Sequence, residues 1–402
     1  MRGELPGFIG GRPLGIGIVG AGFIGAVHAR AARRAGARVV GVSASSPEST
    51  HDAVERLGAG TGFTDSGALI ASPDVDVVHI CTPNNLHHDL AAGVLAVGKH
   101  VVCEKPLVID PSQGGDLCAA AALAGVVATV PFVYRFYPMV REARARVAGQ
   151  FAPVRLIHGH YLQDWLSTEH DDNWRVDVTT SGSSRAFADI GSHWCDLVEF
   201  VTGDRLASVC AELVTVVPER VTGGEHVHAF QSGSLAEGSR RPVATEDVAL
   251  VLFRTVGGVT GSVVVSQVSS GHKNQLRFEI TGADASIAFD QERPDTLWVG
   301  RRAASEIVER DPAALDPSAA AYVTVPPGHP QGYQDCFDAF VADTYRAIAA
   351  GSADAVEGLP TFADGARAAR VTAAVLHSAS THRWEDIPAV GATHHRSKEG
   401  AS

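Results

Sequence analysis

Three glycines near the start of the chain constrain its fold more than any other feature. They lie in Gly20-Ala21-Gly22-Phe23-Ile24-Gly25, which directly follows a predicted strand at 15–19 and opens a predicted helix. This spacing allows a tight turn, close approach of a pyrophosphate to the backbone, and close packing of the helix on the strand. We therefore predict a dinucleotide-binding βαβ unit, with a purely structural glycine turn as the weaker alternative. The candidate cofactor contacts in this loop are Gly20, Gly22, Phe23 and Ile24.

The order of the predicted elements indicates two domains. Predicted strands at 15–19, 38–43, 75–81, 100–103 and 126–130 alternate with helical patterns at 26–35 and 90–98, which is typical of a parallel sheet. Strand patterns then follow one another without intervening helices, at 154–161, 206–217, 245–254, 260–268, 275–281 and 286–289, which favours an antiparallel sheet. We interpret 214–241 as a long connection, and we predict late helices at 331–349 and 362–377.

The predicted fold is an α/β Rossmann domain followed by an α+β domain. The predicted divisions are an N-terminal extension (1–13), a dinucleotide-binding domain with a parallel sheet (14–130), a substrate-binding and oligomerisation domain with a large, open, mainly antiparallel sheet (131–390), and a flexible tail (391–402). A chain of 402 residues is long enough to bury two cores. We expect the late helices to pack back on the Rossmann domain.

Composition narrows the partners and the compartment. The chain has 33 basic and 45 acidic residues and a formal charge of −12 without long single-sign runs, which argues against nucleic acid as a partner. Six cysteines without paired metal-ligand spacing indicate reduced thiols in a cytoplasmic protein. No signal peptide or membrane-spanning stretch is predicted. His226 and His228 share one face of a predicted strand, but no further clustered ligands accompany them, so we predict no metal site.

The end of the second predicted strand bears on the choice of cofactor. NAD sites usually place an acidic residue there to bind the ribose 2′-hydroxyl, whereas a 2′-phosphate needs a nearby arginine. Neither residue type occurs in Val42-Ser43-Ala44-Ser45-Ser46. The hydroxyl groups of Ser43, Ser45 and Ser46 suit either cofactor. Because no Arg or Lys lies between 42 and 50, we predict NAD and keep NADP as an alternative.

Two turns should flank the cofactor at the carboxyl edge of the parallel sheet. The first carries Thr82, Pro83, Asn84 and His87, and the second carries Glu104-Lys105-Pro106; we predict cofactor contacts from Thr82, Pro83, Asn84, His87, Glu104 and Lys105. A lysine is by base rate a solvated surface charge. The position of Lys105 directly after a buried strand favours a functional role instead.

Asp189 and His193 are a candidate acid/base pair. They are four residues apart on a predicted helix, so the carboxylate can orient the imidazole or bias its charge. Asp189 also suits the N-cap of a helix that begins at Ile190, and His193 alone would suit a structural histidine. Asp196 is equally consistent with a substrate ligand and with a structural group.

Taken together, these motifs resemble the glucose-fructose oxidoreductase and inositol dehydrogenase (Gfo/Idh/MocA) family over nearly the whole chain. The resemblance implies a Rossmann domain with a C-terminal open sheet, and Lys105, Asp189 and His193 as a catalytic trio. Residues 161–166, 173–177 and 187–196 are most similar to the family members that oxidise C3 of pyranosides. This narrower resemblance implies that NAD oxidises the C3 hydroxyl of levoglucosan or a related glucoside to a 3-keto sugar, in a homotetramer joined partly through the open sheets.

The chemistry of a secondary alcohol assigns roles to the trio. Such an alcohol needs a base for its proton and a cation for the developing alkoxide. We predict His193 as the base, Lys105 as the cation and possible relay, and Asp189 as the group that holds the imidazole. Predicted substrate contacts are Lys105, Tyr134, Gln163, Trp165, Trp174, Arg175, Asp189, His193 and His329, with Gln331 a weaker candidate.

Several alternatives remain open from the sequence. Trp165 and Trp174 suit packing by base rate and a platform for a sugar ring by chemistry, and Tyr134 suits the cleft and a domain interface equally. An inositol dehydrogenase would use the same trio on a cyclitol ring. A non-catalytic NAD(P)-binding sensor of sugar or redox state would need the glycine loop but not the trio.

Overall fold

A six-stranded parallel sheet forms the first part of the fold. The computed structural model describes residues 5–151, 153–222 and 238–388. The strands of this part are β1 (Phe8–Ile9), β2 (Arg12–Pro13), β3 (Gly15–Val19), β4 (Arg38–Ser43), β5 (Thr61–Gly62), β6 (Val77–Ile80), β7 (His100–Cys103) and β8 (Ala128–Thr129). The helices are α1 (Phe23–Arg34), α2 (Pro47–Leu57), α3 (Ser66–Ala71), α4 (His87–Ala96) and α5 (Gln113–Ala124).

The strand order of this sheet places a ligand-binding crevice at its centre. The order is β5-β4-β3-β6-β7-β8, and all the pairings are parallel. The chain leaves β3 toward one edge and leaves β6 toward the other. Open α/β sheets bind ligands at such a reversal, outside the carboxyl ends of the strands. The predicted Rossmann fold is confirmed.

A large mixed sheet forms the second part of the fold. Its helices are α6 (Pro138–Gln150), α7 (Val178–Ser181), α8 (Ser192–Thr202), α9 (Pro317–Ala320), α10 (Tyr333–Ala350) and α11 (Phe362–Thr381). The strands are β9 (Leu156–Leu162), β10 (Leu206–Val214), β11 (Glu219–Thr222), β12 (Ser239–Pro242), β13 (Val248–Thr255), β14 (Thr260–Ser266), β15 (Gln275–Thr281), β16 (Ala285–Asp290), β17 (Thr296–Arg301), β18 (Ser305–Glu309) and β19 (Glu385–Asp386). Within the described residues, nine of them form one sheet in the order β18-β17-β16-β15-β9-β14-β13-β10-β19, with β9 and β14 as its parallel pair. The expected large, mainly antiparallel sheet is confirmed.

One face of this sheet is covered by helices and the other is open. Val251 and Phe253 on β13 are buried, whereas the alternate residues Leu250 and Leu252 are about half exposed. Helix α8 packs on β9 and β15 on the covered face. There Trp194 is fully buried and donates from Nε1 to the carbonyl of Arg277 at 2.9 Å. This anchor fixes the helix that carries His193.

The expected long connection at 214–241 is wrong in part. Strands β11 and β12 pair there as an antiparallel hairpin, and residues 223–237, with His226 and His228, lie outside the described part. Both strands carry exposed polar side chains such as Arg240, so the alternation of apolar and polar residues that marks a half-buried strand is missing.

The late helices contact the first part of the fold. Helix α10 packs on α1, and α11 packs on α5 and on β10. The division at residue 130 remains a prediction. Among the described residues, no helix combines the length and apolar character needed to span a bilayer.

Candidate active site

The glycine loop has the shape that a bound pyrophosphate requires. Gly20 has φ +100°, and a Cβ there would lie 2.5 Å from the carbonyl oxygen of Cys81. A Cβ on Gly25 would lie 2.3 Å from the carbonyl oxygen of Gly20. By contrast, a Cβ on Gly22 would meet nothing within 4 Å. Two glycines are therefore required by packing, and the third leaves its surroundings open, which fits a dinucleotide.

An arginine lies beside this loop although none follows β4 directly. Arg56 of α2 donates to the carbonyl of Ala21. Ser43 is buried at the end of β4, and its carbonyl accepts from the amide of Gly20 at 2.9 Å. Ser46 caps α2 by accepting from Ser49, and Ser45 is exposed. Phe23 is 58% exposed at the first position of α1, and Ile24 is partly buried against the core.

The turn after β6 is braced by a buried histidine. The ring nitrogens of His87 lie 2.9 Å from the carbonyl oxygen of Thr82 and 2.7 Å from that of Pro106, so the ring joins the two predicted cofactor turns. Its side chain is fully buried, and any effect on a cofactor acts through the turns. Asn84 donates to the carbonyl of Ser181 at 3.0 Å. Pro83 is partly exposed, and the hydroxyl of Thr82 is buried without a partner among the described residues.

Lys105 and Asp189 meet across the cleft between the two parts of the fold. The ammonium group of Lys105 lies 2.5 Å from Asp189 Oδ1 and 2.9 Å from the Asp189 carbonyl oxygen. The other carboxylate oxygen accepts from Gln267 at 2.9 Å, and Arg175 Nε lies 3.5 Å from Oδ1. Burial alone would raise the pKa of Asp189, but the charges of Lys105 and Arg175 outweigh it and hold this pKa well below its usual range.

A π-helical turn, not a helix cap, presents Asp189. The turn spans Phe187–Gly191 and leads into α8, so the expected helix start at Ile190 with Asp189 as its cap is wrong. Glu246 satisfies the beginning of this turn by accepting from the amide of Phe187 at 2.8 Å. A Cβ on Gly191 would lie 2.6 Å from the ring of Phe187, so the turn requires glycine there. Such turns often occur at functional sites.

His193 is buried beside the Lys105–Asp189 pair. Its ring meets Phe132 and Tyr134 edge-on, with centroids 5.6 and 5.0 Å apart. Burial and the charge of Lys105 lower the pKa of His193 well below its usual range, and the opposing charge of Asp189 does not compensate. The imidazole is therefore neutral, as a base must be. Within the described residues, Nδ1 has no hydrogen-bond partner, and the carboxylate oxygens of Asp189 accept from Lys105 and Gln267, so the expected bond from Asp189 to the imidazole is not formed.

A buried polar network extends from the neighbour of His193. Tyr134 and Tyr161 share a hydrogen bond, and Tyr161 and Gln163 each donate to Asn274 Oδ1 at 2.8 Å. Trp165 donates from Nε1 to Gln163 Oε1 at 2.8 Å. Gln163 is thus held by Asn274 and Trp165, and both Gln163 and Trp165 are buried.

Comparison with known proteins places the chain in a family. Residues 14–132 match the model described as "Oxidoreductase family, NAD-binding Rossmann fold", and residues 140–288 match the Gfo/Idh/MocA C-terminal domain. Levoglucosan dehydrogenase from Pseudarthrobacter phenanthrenivorans is 30% identical over 94% of this chain and 99% of its own length. This chain belongs to the Gfo/Idh/MocA family.

Other members of the Gfo/Idh/MocA family support the same assignment. A solved levoglucosan dehydrogenase in complex with NADH and L-sorbose has a TM-score of 0.85 and 30% identity, covering 94% of this chain and all of that one. Inositol 2-dehydrogenase from Rhizobium meliloti is 24% identical over 70% of this chain and 77% of its own length. The chain is an NAD-dependent sugar oxidoreductase, which sets aside the sensor alternative.

The other candidate substrate contacts of this Gfo/Idh/MocA chain differ in their exposure and in their bonding partners. Trp174 is partly exposed, with the guanidinium of Arg175 4.5 Å from its ring centroid. Both carboxylate oxygens of Asp196 accept from Arg135, so Asp196 is structural. His329 is exposed in the loop before α10. The amide of Gln331 bonds to the backbone of that same loop.

Sequence reasoning missed four residues at or near this site. They are Arg56, Gln267, Asn274 and Tyr333. Burial and the negative charge of Glu104 raise the pKa of Tyr333, which begins α10 and packs near Tyr134. A polar residue directly after a strand, as Gln267 is after β14, is the signal that would have found one of them. No group of three or more metal-ligating side chains occurs in the described part of the chain.

Proposed function

We propose that this protein oxidises the C3 hydroxyl of a pyranose, levoglucosan or a related glucoside, to a 3-keto sugar. The observation that carries the proposal is the approach of Lys105 to Asp189 beside a neutral, buried His193. The similarity to levoglucosan dehydrogenase over nearly the whole chain supports the substrate class.

In the proposed reaction, His193 accepts the hydroxyl proton, and Lys105 stabilises the negative charge that develops on the oxygen as this proton leaves. Loss of hydride from C3 then converts that C–O⁻ bond to the carbonyl of the 3-keto sugar. A base within hydrogen-bond reach contributes roughly 10²–10⁴-fold, and a fixed cation adds electrostatic stabilisation in a water-poor site. Asp189 holds the ammonium group of Lys105 rather than the imidazole, because its carboxylate bonds to Lys105 and Gln267. When bound, the nicotinamide supplies the hydride acceptor.

The proposed cofactor contacts are residues at or near the carboxyl edge of the parallel sheet. Gly20 and Gly22 would offer backbone to the pyrophosphate, with Phe23 and Ile24 at the beginning of α1. The unpartnered hydroxyl of Thr82 and the partly exposed Pro83 suit the nicotinamide half. The remaining proposed contacts are Ser43, Ser45, Ser46, Asn84, His87, Glu104 and Lys105.

The proposed sugar contacts divide into reachable and supporting groups. Arg175 is partly exposed beside Asp189, and the partly exposed ring of Trp174 lies under its guanidinium, so they suit a sugar ring and its hydroxyls. Tyr134, Gln163 and Trp165 are more than nine-tenths buried and shape the site from behind.

The open sheet face supports the proposed homotetramer. Leu250 and Leu252 of β13 and Val264 of β14 are exposed side by side, with Leu250 paired to Val264 across the two strands. Exposed apolar patches of this kind mark protein interfaces.

The six free cysteines suit the proposed cytoplasmic location, because thiols stay reduced in the cytoplasm.

One assay tests the proposed function and its runner-up. The purified protein with NAD is offered levoglucosan, glucose, simple glucosides and myo-inositol while NADH absorbance is followed. Levoglucosan or a glucoside should give the highest kcat/KM. Preference for myo-inositol would instead support the inositol dehydrogenase alternative, in which the same trio acts on a cyclitol ring. Absence of turnover with all pyranosides would contradict the proposal.

A further inference from the structure

A chain of hydrogen bonds runs through the core behind Lys105. Tyr345 OH lies 3.0 Å from His79 Nε2, and the Nδ1 atoms of His79 and His28 are 2.7 Å apart. His28 Nε2 lies 3.1 Å from Glu104 Oε1, while Glu104 Oε2 accepts from the backbone amide of Lys105 at 3.1 Å. We call Tyr345, His79, His28 and Glu104 the buried histidine chain.

The burial of these polar groups in the core costs free energy of folding. His28, His79 and Tyr345 are fully buried, and Glu104 is 8% exposed. On β6 the neighbours of His79 are apolar, such as Val78 and Ile80, so an apolar residue would suit the strand. A buried polar group without a partner is destabilising, so the buried histidine chain is tolerated because its members satisfy one another.

Hydrogen-bond chemistry fixes the direction of the contact with Glu104. As a carboxylate, Glu104 only accepts, so His28 Nε2 carries a hydrogen and donates it. One hydrogen joins the two Nδ1 atoms, and either ring can carry it. The hydroxyl of Tyr345 can donate to His79 Nε2 or accept from it, so the chain is satisfied with either order of protons. Burial and the neighbouring His28 lower the pKa of His79 well below its usual range, which keeps the His79 ring neutral.

The buried histidine chain also joins three elements whose relative positions determine the geometry of the site. His28 lies on α1, which begins at the glycine loop, and His79 lies on β6, which leads to the turn of Thr82. Tyr345 lies on α10, after the large sheet. Glu104 is the end of the chain that reaches the catalytic cleft, because the next residue is Lys105.

We propose that the buried histidine chain positions Lys105 for catalysis. His28 Nε2 lies against one carboxylate oxygen of Glu104, and the other oxygen accepts from the backbone amide of Lys105, so the two contacts hold the carboxylate against that amide. The ammonium group of that lysine is then directed at Asp189. His28 and His79 are positioning residues that act through Glu104. The activity readout of this inference rests on the proposed function.

A matched pair of variants separates positioning from simple packing. The amide of His28→Gln keeps an N–H donor for Glu104, whereas His28→Leu fills a similar volume without one. We expect His28→Leu to lower kcat by about tenfold to a hundredfold, because small displacements in a site have such effects, with little change in KM for NAD. His28→Gln should recover most of this loss. If both variants lower the Tm but retain kcat within about twofold per folded molecule, the role is structural and the inference is overturned.

A spectroscopic measurement tests the bond from His28 to Glu104 without any substrate. In protein labelled with ¹⁵N-histidine, NMR should show a hydrogen on His28 Nε2, with the signals of His28 and His79 assigned by their loss in His28→Gln and His79→Gln. A His28 ring without a hydrogen on Nε2 would overturn the inference, because the ring would then have no donor for Glu104. Failure of the proposed function would look different, as wild-type protein with His28 protonated at Nε2 and no turnover of any sugar.

Discussion

Lys105 donates from its ammonium group to the carboxylate of Asp189 at 2.5 Å and to the backbone carbonyl of the same residue at 2.9 Å. The two residues are 84 positions apart and come from the two parts of the fold. Their contact therefore closes the active site only when both parts are folded and docked. It also leaves His193 beside a cation, and burial together with this charge lowers the pKa of His193 well below its usual range, which keeps the imidazole neutral.

Substitutions of the pair should move the pH profile in opposite directions. Asp189 raises and Lys105 lowers the pKa of His193. In Asp189→Asn the acidic limb of kcat/KM should therefore move to lower pH, and in Lys105→Met it should move to higher pH. Both variants should lose roughly a hundredfold or more in kcat, because each removes a group that fixes charge in the site. Steady-state kinetics from pH 5 to 9 provide the measurement. Limbs that move together would contradict the assigned electrostatics.

Two glycine variants should separate cofactor binding from folding. Gly22→Ala meets open space, so the Tm should change little while NAD affinity falls by roughly tenfold or more, because the methyl group occupies the approach of the pyrophosphate. Gly25→Ala places a Cβ 2.3 Å from the carbonyl oxygen of Gly20 and should lower the Tm by several degrees. NADH fluorescence titration and thermal unfolding distinguish the two. Equal effects on binding and stability in both variants would contradict this division.

Arg56 should affect the use of NADP more than that of NAD. Its guanidinium lies at the glycine loop, and no acidic residue follows β4 to repel a 2′-phosphate. Arg56→Ala should reduce kcat/KM for NADP by roughly tenfold and that for NAD by less. Ala44→Asp, which restores an acidic residue at the end of β4, should abolish residual NADP use and retain NAD use. A uniform loss with both cofactors would place Arg56 away from the ribose.

Stability should depend on pH through the buried histidines. His79 and His193 have folded-state pKa values below the usual value of about 6.5, so the unfolded chain binds more protons below that pH. The free energy of unfolding should therefore decrease as the pH falls from 7.5 to 5.5, by up to roughly 1.4 kcal/mol per pH unit for each residue. Urea unfolding across this range checks the slope. His193→Asn should flatten it, and an unchanged slope would contradict a neutral His193.

Local signals predicted the parts of the site that lie at strand ends. The glycine loop and Lys105 each follow a predicted strand, and parallel strands bring their carboxyl ends to one edge. Asp189 and His193 were found by helical spacing, but the π-helical turn that separates their hydrogen-bonding roles has no comparable sequence pattern.

Contacts between distant residues could not be predicted in this way. Gln267 reaches Asp189 from 78 positions away, and His28 meets His79 across 51 positions. Such contacts depend on how α1, β6 and the large sheet pack, which is decided by tertiary structure and not by periodicity. The hairpin of β11 and β12 was missed for a related reason, since its polar strands lack the alternation of apolar and polar residues that marks a strand.

The position of oxidation is the most direct test of the proposed function. Levoglucosan deuterated at C2, C3 or C4 would be offered in turn with NAD, and the reduced cofactor would be analysed by mass spectrometry. We predict that deuterium appears in the cofactor only from the C3-labelled sugar, and that His193→Ala lowers this transfer by orders of magnitude while NADH affinity changes little. Transfer of deuterium from C2 or C4, with none from C3, would contradict it.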